Sequence, residues 1–325
     1  MSLYSDISYM LHRSKESRLK VDSVLRPFLK SIKQHGESHV YQSLTPEVKH
    51  NLCCARIVQG NFSEWDGWQY RDDWAAGMRY GTSNIPFWNG DPVDRLIIIG
   101  EQGIGDEVLF ASVIPEAMIR CKQVTYACDE RLVMPLARSY RGLHTKIRKV
   151  DVRDDLLEGF DAYIPAADLL PVFRRRQGDF PKKPFIKPSS DRLAEFEKYR
   201  GRIGISWRGR HGKINPLDLG LENPLSLQYD ETHPEIETPD IDLRNDIEGV
   251  LALSSVLAKI VVVPTSVWHF AAAVGTKTEV IVAPRGSEDD GAYDEIDYHT
   301  ALGVSPWYGK STVYRDVLDW RRNAL

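Results

Sequence analysis

Two short runs of branched residues limit what this chain can fold into. Leu96-Ile97-Ile98-Ile99 and Val261-Val262-Val263 each lead directly into a turn and then a helical pattern. Apolar runs this short, with no polar alternation, read as strands buried on both faces, the mark of a parallel sheet. Parallel neighbours need a crossover connection, usually a helix, so both runs point to β-α-β units. The first opens "GEQGIGDEVLF" (100–110) and the second "VVVPTSVWHFAAAVG" (261–275).

The surrounding pattern repeats the alternation. Strands are expected at 95–99, 123–127 and 162–165, with a helix over 107–120 that Pro115 should kink. The stretch "PVFRRRQGDFPKKPFIKPSS" (171–190) carries no periodicity and reads as a linker. Beyond it, strands are expected at 202–207, 224–228, 260–263 and 279–283. Helices are expected at 191–199, 246–258 and 266–274, the last ended by Gly275. Residues 1–75 read as helical. Val24, Leu25, Phe28, Leu29 and Ile32 share one face, a second helix runs over 46–58 behind Thr45, and a third over 62–74 carries Trp65, Trp68, Tyr70 and Trp74. These tryptophans suit a core between the helical part and the first sheet.

The chain has 325 residues, room for two domains and an appendage. Its net charge of −4 provides no global attraction to nucleic acid or membrane. Locally the balance is uneven: residues 171–213 hold thirteen Lys/Arg against four Asp/Glu, and residues 214–260 hold ten Asp/Glu against Arg244 and Lys259. That contrast fits a local anion site or a solvated linker. Cys53, Cys54, Cys121 and Cys128 have no metal-type spacing. With no apolar N-terminal signal and no apolar run of about 18 residues, a reducing cytoplasm is expected, and no membrane span.

The first turn lacks the Gly-Lys-Ser/Thr ending of a P-loop and the spacing of a dinucleotide fingerprint, and it carries Asp106. The second turn is different. Thr265 or Ser266 caps a helix whose free amides and positive end form an anion site, and His269 lies one turn in on the same face. Plain capping beside a satisfied histidine accounts for the same spacing. "DID" (240–242) matches an Asp-x-Asp metal motif but reads as a loop coincidence, and "EDD" (288–290) as a solvated turn. "RRR" (174–176) reads as a linker charge run or as steering for an anionic acceptor.

At these residues the chain resembles a family. "EQGIGDEVLFASVIPE", "GISWRG" (204–209), "SLQYD" (226–230), "DIEGVLALSSVLAKIVVVPTSVWHFAAAVG" and "SPWYGKSTVYR" (305–315) look like the glycosyltransferase-like domain that follows tetratricopeptide repeats in bacterial proteins. That domain is similar to the heptosyltransferases. "GNFSEWDGWQYRDDW" (60–74) resembles the repeat that precedes it, so the likeness covers roughly residues 46–315.

The resemblance implies an α/β protein of GT-B fold: two Rossmann-like domains with a parallel sheet each, behind a small helical (TPR-like) N-terminal region. The expected division is 1–90 helical, 91–185 acceptor domain and 186–325 nucleotide-sugar domain. It implies a metal-independent, inverting glycosyltransferase without a cofactor, using a nucleotide-diphosphate sugar as co-substrate and an acceptor glycan, protein or nucleic acid. Position by position, Asp106 matches the general base, and Gly103 and Gly105 let the backbone approach the acceptor. Thr265, Ser266 and His269 match the donor-diphosphate segment. Arg208 and Lys213 lie where basic residues offset leaving-group charge, and Gln228 and Tyr229 near the nucleotide base. The chain departs from the family at Pro264, where an Asp is usual, and in the acidic stretch 284–300. These departures keep two alternatives open: a non-catalytic binding or scaffold protein, and a sugar-nucleotide epimerase of the same fold.

Overall fold

The computed structural model describes residues 3, 7, 22–63, 65, 67–68, 85–148, 154–180, 182–209, 212–282 and 305–324. The expected helix over 62–74 and the acidic stretch 284–300 lie wholly or largely outside the described residues, as do Tyr70 and Trp74.

Among the described residues, the N-terminal part includes the helices α1 (Asp22–His35), α2 (Glu37–Ser43) and α3 (Pro46–Val58). Two tryptophans tie this helical part to the chain near residues 167 and 174. Trp65 Nε1 donates to the Arg174 carbonyl at 2.8 Å, and Trp68 Nε1 to the Ala167 carbonyl at 3.0 Å.

The first sheet is parallel throughout, in the order β3 (His144–Ile147), β2 (Gln123–Cys128), β1 (Arg95–Ile99), β4 (Ala162–Pro165). Ile97, Ile98 and Ile99 are fully buried, as the unbroken apolar run requires. The expected helix over 107–120 is instead two: α4 (Ile104–Ala111) and α5 (Ile114–Arg120). Pro115 does not kink a continuous helix. It occupies the first turn of the second one, where the missing N–H costs nothing. α6 (Val133–Ser139) and α7 (Asp154–Leu157) complete this half.

The expected linker is an ordered crossing. α8 (Leu169–Phe173) opens it, Phe180 and Ile186 are buried, and the Phe185 and Ile186 amides both donate to the Ala273 carbonyl. Arg174 is not a steering charge: it is 1% exposed, donates to the Ser112 carbonyl, and pairs with Glu116 at 2.6 Å.

The second sheet is also parallel throughout, in the order β11 (Ser311–Tyr314), β10 (Lys277–Ile281), β9 (Lys259–Val262), β5 (Ile203–Ser206), β8 (Leu225–Ser226). α9 (Ser190–Glu195), α10 (Ile247–Val256), α11 (Ser266–Ala273) and α12 (Val317–Asn323) accompany it. A short hairpin, β6 (Arg208–Gly209) with β7 (Gly212–Lys213), follows β5. One apolar cluster runs from Cys53 and Trp68 through Leu109 and Phe110 to Val267, Phe270 and Val313, so both halves share a core. The charge contrast is folded into pairs between the basic and acidic segments: Arg192–Asp246, Arg202–Glu237, Arg208–Glu231 and Lys213–Glu231.

Candidate functional site

Ligands of open parallel sheets bind at the carboxyl ends of the strands. Here the segments leaving β1 and β9 meet. A Cβ built on Gly105 would lie 2.7 Å from His269 Cδ2 and 3.0 Å from the Ser266 Cα. The first turns of α4 and α11 therefore touch, one from each sheet, and only a residue without a side chain fits between them.

On the β1 side, Gln102 adopts φ +60°. A left-handed conformation is strained for a residue with a side chain. Gly103 is the N-cap of α4, and its N–H donates to Asp106 Oδ2 at 3.1 Å. Asp106 thus sits at the third helical position, reaching back to the cap, rather than capping the helix itself. Its half-buried carboxylate lies in the same neighbourhood as Tyr308, whose titration it affects.

On the β9 side, Thr265 is the N-cap of α11, in extended backbone (φ −151°), yet its side chain makes no capping bond. Its Oγ1 is buried with no hydrogen-bond partner. A hydroxyl in that position normally accepts from a first-turn amide; the Trp268 amide donates to the Thr265 carbonyl at 3.1 Å, which leaves this hydroxyl and the Ser266 and Val267 N–H groups available together. His269 is 6% exposed, and its Nδ1 lies 2.8 Å from the Tyr308 hydroxyl. Pro264 turns the chain out of β9, and its carbonyl would lie 2.6 Å from a Cβ on Gly209. The β6–β7 hairpin is thereby held against the Thr265 turn.

The structure brings Gly103, Gly105, Asp106, Thr265, Ser266 and His269 to the contact between α4 and α11, with the hairpin that carries Arg208 and Lys213 against the Thr265 turn. Arg208 and Lys213 belong to the hairpin and both pair with Glu231, at 3.2 Å and 2.9 Å. Burial pushes the Glu231 carboxyl up, but hydrogen bonds from Lys213, Trp207 and Arg208 outweigh it and hold it below its usual value. Gln228 is 2% exposed and serves the backbone. Its Oε1 accepts from Ser206 Oγ (3.1 Å), Trp207 N (2.9 Å) and Arg208 N (3.0 Å), and its Nε2 donates to the Arg208 carbonyl. Tyr229 is 36% exposed. Beyond the hairpin lies a pocket of about 570 Å³ lined by Trp207, Lys213, Ile214, Asn215, Glu231 and His233 among others.

Three acidic side chains went unnoticed in the sequence. Glu101 is fully buried and accepts from the Ala167 amide at 2.8 Å. Glu107 is fully buried, accepts from the Asp129 amide at 2.7 Å and pairs with Arg148 at 2.8 Å. Burial raises its carboxyl to about 7 against the opposing pull of Arg148. Glu231 directly follows "SLQYD", and Glu107 directly follows Asp106, so adjacency to a motif was the available signal. Tyr308 lies inside "SPWYGK", but nothing local ties it to a histidine 39 residues away. "DID" is a loop: Asp242 accepts from the Arg244 and Asn245 amides. Among the described residues, no group of three or more His, Cys, Asp or Glu side chains could hold a metal ion. Nor is any described helix long and apolar enough to cross a membrane.

No family model matches the chain. Protein FlbA of Caulobacter vibrioides is 25% identical over 236 residues, covering 58% of this chain and 40% of that protein. The chain therefore spans less than half the length of that relative. Among solved structures, a glycosyl transferase family 9 protein from Veillonella parvula aligns over 73% of this chain and 89% of its own, at 11% identity and a TM-score of 0.44. The ADP-heptose lps heptosyltransferase II of E. coli aligns over 68% of this chain and 90% of its own, at 12% identity and a TM-score of 0.44.

Proposed function

We propose that this chain is a glycosyltransferase of GT-B type, with its site at the seam between α4 and α11. The observation that carries the reading is Thr265: a buried hydroxyl without a partner at the N-cap of an eight-residue helix, facing a glycine turn that bears a carboxylate. The α11 first turn, with Thr265, Ser266 and His269, would hold the diphosphate of a nucleotide sugar, since free amides and a positive helix end favour an anion. Asp106, on the facing wall, would take the proton of the acceptor hydroxyl. The acceptor oxygen then bonds to the anomeric carbon as the bond from that carbon to the diphosphate oxygen breaks. The leaving diphosphate keeps the electron pair, and the α11 amides stabilise its charge. One displacement inverts the anomeric centre and needs no metal. The strained Gln102 at the start of the first turn supports a functional role for that turn.

In this reading residues 91–185 form the acceptor domain, 186–325 the nucleotide-sugar domain, and 1–90 a TPR-like helical region. Four buried cysteines, none of them in a disulfide, support a reducing compartment such as the cytoplasm.

A second reading, a binding protein that has kept the fold without catalysis, is favoured by Glu231. It neutralises both cations that would offset leaving-group charge. Titration calorimetry with UDP, ADP, GDP, CDP and TDP, on wild type, Thr265→Val and His269→Ala, separates the two. Binding of one nucleotide, weakened about tenfold in each variant, supports the donor site. Absence of binding to all five overturns it and leaves the scaffold reading.

A further inference from the structure

The contact between His269 and Tyr308 has a consequence for chemistry. Tyr308 is 4% exposed, and its ring stacks on Phe185 at 6.4 Å and 10°, so it is fixed from below by the crossing segment. Its hydroxyl is 2.8 Å from His269 Nδ1. Burial, with the Asp106 charge added, pushes the phenol well above its ordinary value, so it stays a neutral O–H.

A phenol has one proton to give, and no other hydrogen bond of the Tyr308 hydroxyl accompanies the one to His269 among the described residues. If Nδ1 carried the proton, the phenolic hydrogen would be left without an acceptor in a buried place, which is unfavourable. If the phenol donates, Nδ1 accepts and both are satisfied. The ring proton then belongs to Nε2. Nε2 is bonded to Cδ2, the atom that faces Gly105, on the ring edge opposite Nδ1. The imidazole thus bridges the two halves, its acceptor turned into the second sheet's core and its donor edge on the seam.

We propose that Tyr308 is a positioning residue that holds His269 as the neutral Nε2–H tautomer, presenting a fixed N–H donor at the seam between α4 and α11. This rests on the donor-site reading only for what the N–H meets: an oxygen of the diphosphate, bound by a hydrogen bond without proton transfer. A histidine free to choose its tautomer would present a lone pair there part of the time and repel an anion.

The test is the two-bond ¹H–¹⁵N correlation spectrum of the histidine rings in the full-length ¹⁵N-labelled chain, with His269 assigned by its loss in His269→Ala. Wild type should show Nδ1 at the position of an unprotonated nitrogen and Nε2 at that of a protonated one. Tyr308→Phe should move the two nitrogen shifts toward each other as the tautomers mix. Phe185→Leu, which disturbs the packing and keeps the hydroxyl, should leave the wild-type pattern. A protonated Nδ1 in wild type overturns the proposal, and that result needs no variant. So does an unchanged pattern in Tyr308→Phe, or a change in Phe185→Leu equal to that in Tyr308→Phe. The nucleotide found by calorimetry is then titrated into Tyr308→Phe, where about a tenfold loss of affinity is expected. If no nucleotide binds, the donor reading fails while the tautomer result still decides the role of Tyr308.

Discussion

Gly105 and His269 belong to different sheets, and a β-carbon on the first would fall 2.7 Å from Cδ2 of the second. Gly105→Ala therefore has to shift a packed ring and the Ser266 backbone, which lies 3.0 Å away. Alanine gains up to about 1 kcal/mol of helix propensity there, but overpacking costs about 1–3 kcal/mol. Urea denaturation should show a net loss of stability, and nucleotide affinity should fall with it. A more stable variant would mean that the seam has slack.

Glu107 makes stability depend on pH. Its carboxyl titrates near 7 in the folded chain against an ordinary 4.5, mainly because of burial. A group whose folded value is raised contributes fully below its unfolded value, and that contribution fades as pH climbs toward the folded one. Between pH 4.5 and 7.5, wild type should lose about 3 kcal/mol that Glu107→Gln does not lose. Denaturation of both proteins at the two pH values gives the difference. Parallel pH profiles would show that Glu107 is ionised throughout.

Glu231 competes with any anion for Arg208 and Lys213. In Glu231→Gln Lys213 loses its carboxylate and Arg208 keeps only the longer contact to Asp230 at 3.9 Å, so nucleoside-diphosphate affinity should rise several-fold at low salt. The gain should shrink as salt is added, since all three groups are near the surface. Calorimetry at two ionic strengths measures this. An affinity that stays the same would place the diphosphate away from both cations.

Arg174→Ala should cost about 2–4 kcal/mol. The buried guanidinium is lost from Glu116, Ser112 and the Phe180 ring together. Thermal or urea unfolding reads it. If the charge served only to steer an anionic polymer, stability would be unchanged and only salt-dependent binding would move.

The sheets were legible because their strands are short, apolar and bounded by turns. Ile97–Ile99 and Val261–Val263 needed no context, and Pro115 marks the start of a second helix where a kink in a single one is expected. Strand β3 was hidden because His144, Lys146 and Ile147 are half-exposed or exposed at a sheet edge, without the apolar run of the inner strands. The linker reading failed for a related reason: proline and charge say that a segment is irregular, not that it is loose, and Arg174 is buried by partners far away in sequence. At the site, the two turns could be found by local pattern. Their contact through Gly105 could not, nor the hydroxyl of Tyr308 on His269, nor the surrender of Arg208 and Lys213 to Glu231. Each joins segments whose separation carries no periodicity. Gln228 shows the opposite error, a motif residue whose side chain is spent on the backbone of 206–208.

The shared core has a mechanical meaning. Each sheet is built from its own stretch of chain, 95–165 and 203–314, an arrangement that would let two halves melt separately. The apolar cluster from Cys53 to Val313 removes that freedom, because no boundary divides it where the chain crosses over. A molecule settling on the α11 turn would slow hydrogen exchange not only in β9 beneath it but also in β1 of the other sheet. The protein would register occupancy of one wall as stiffness in both.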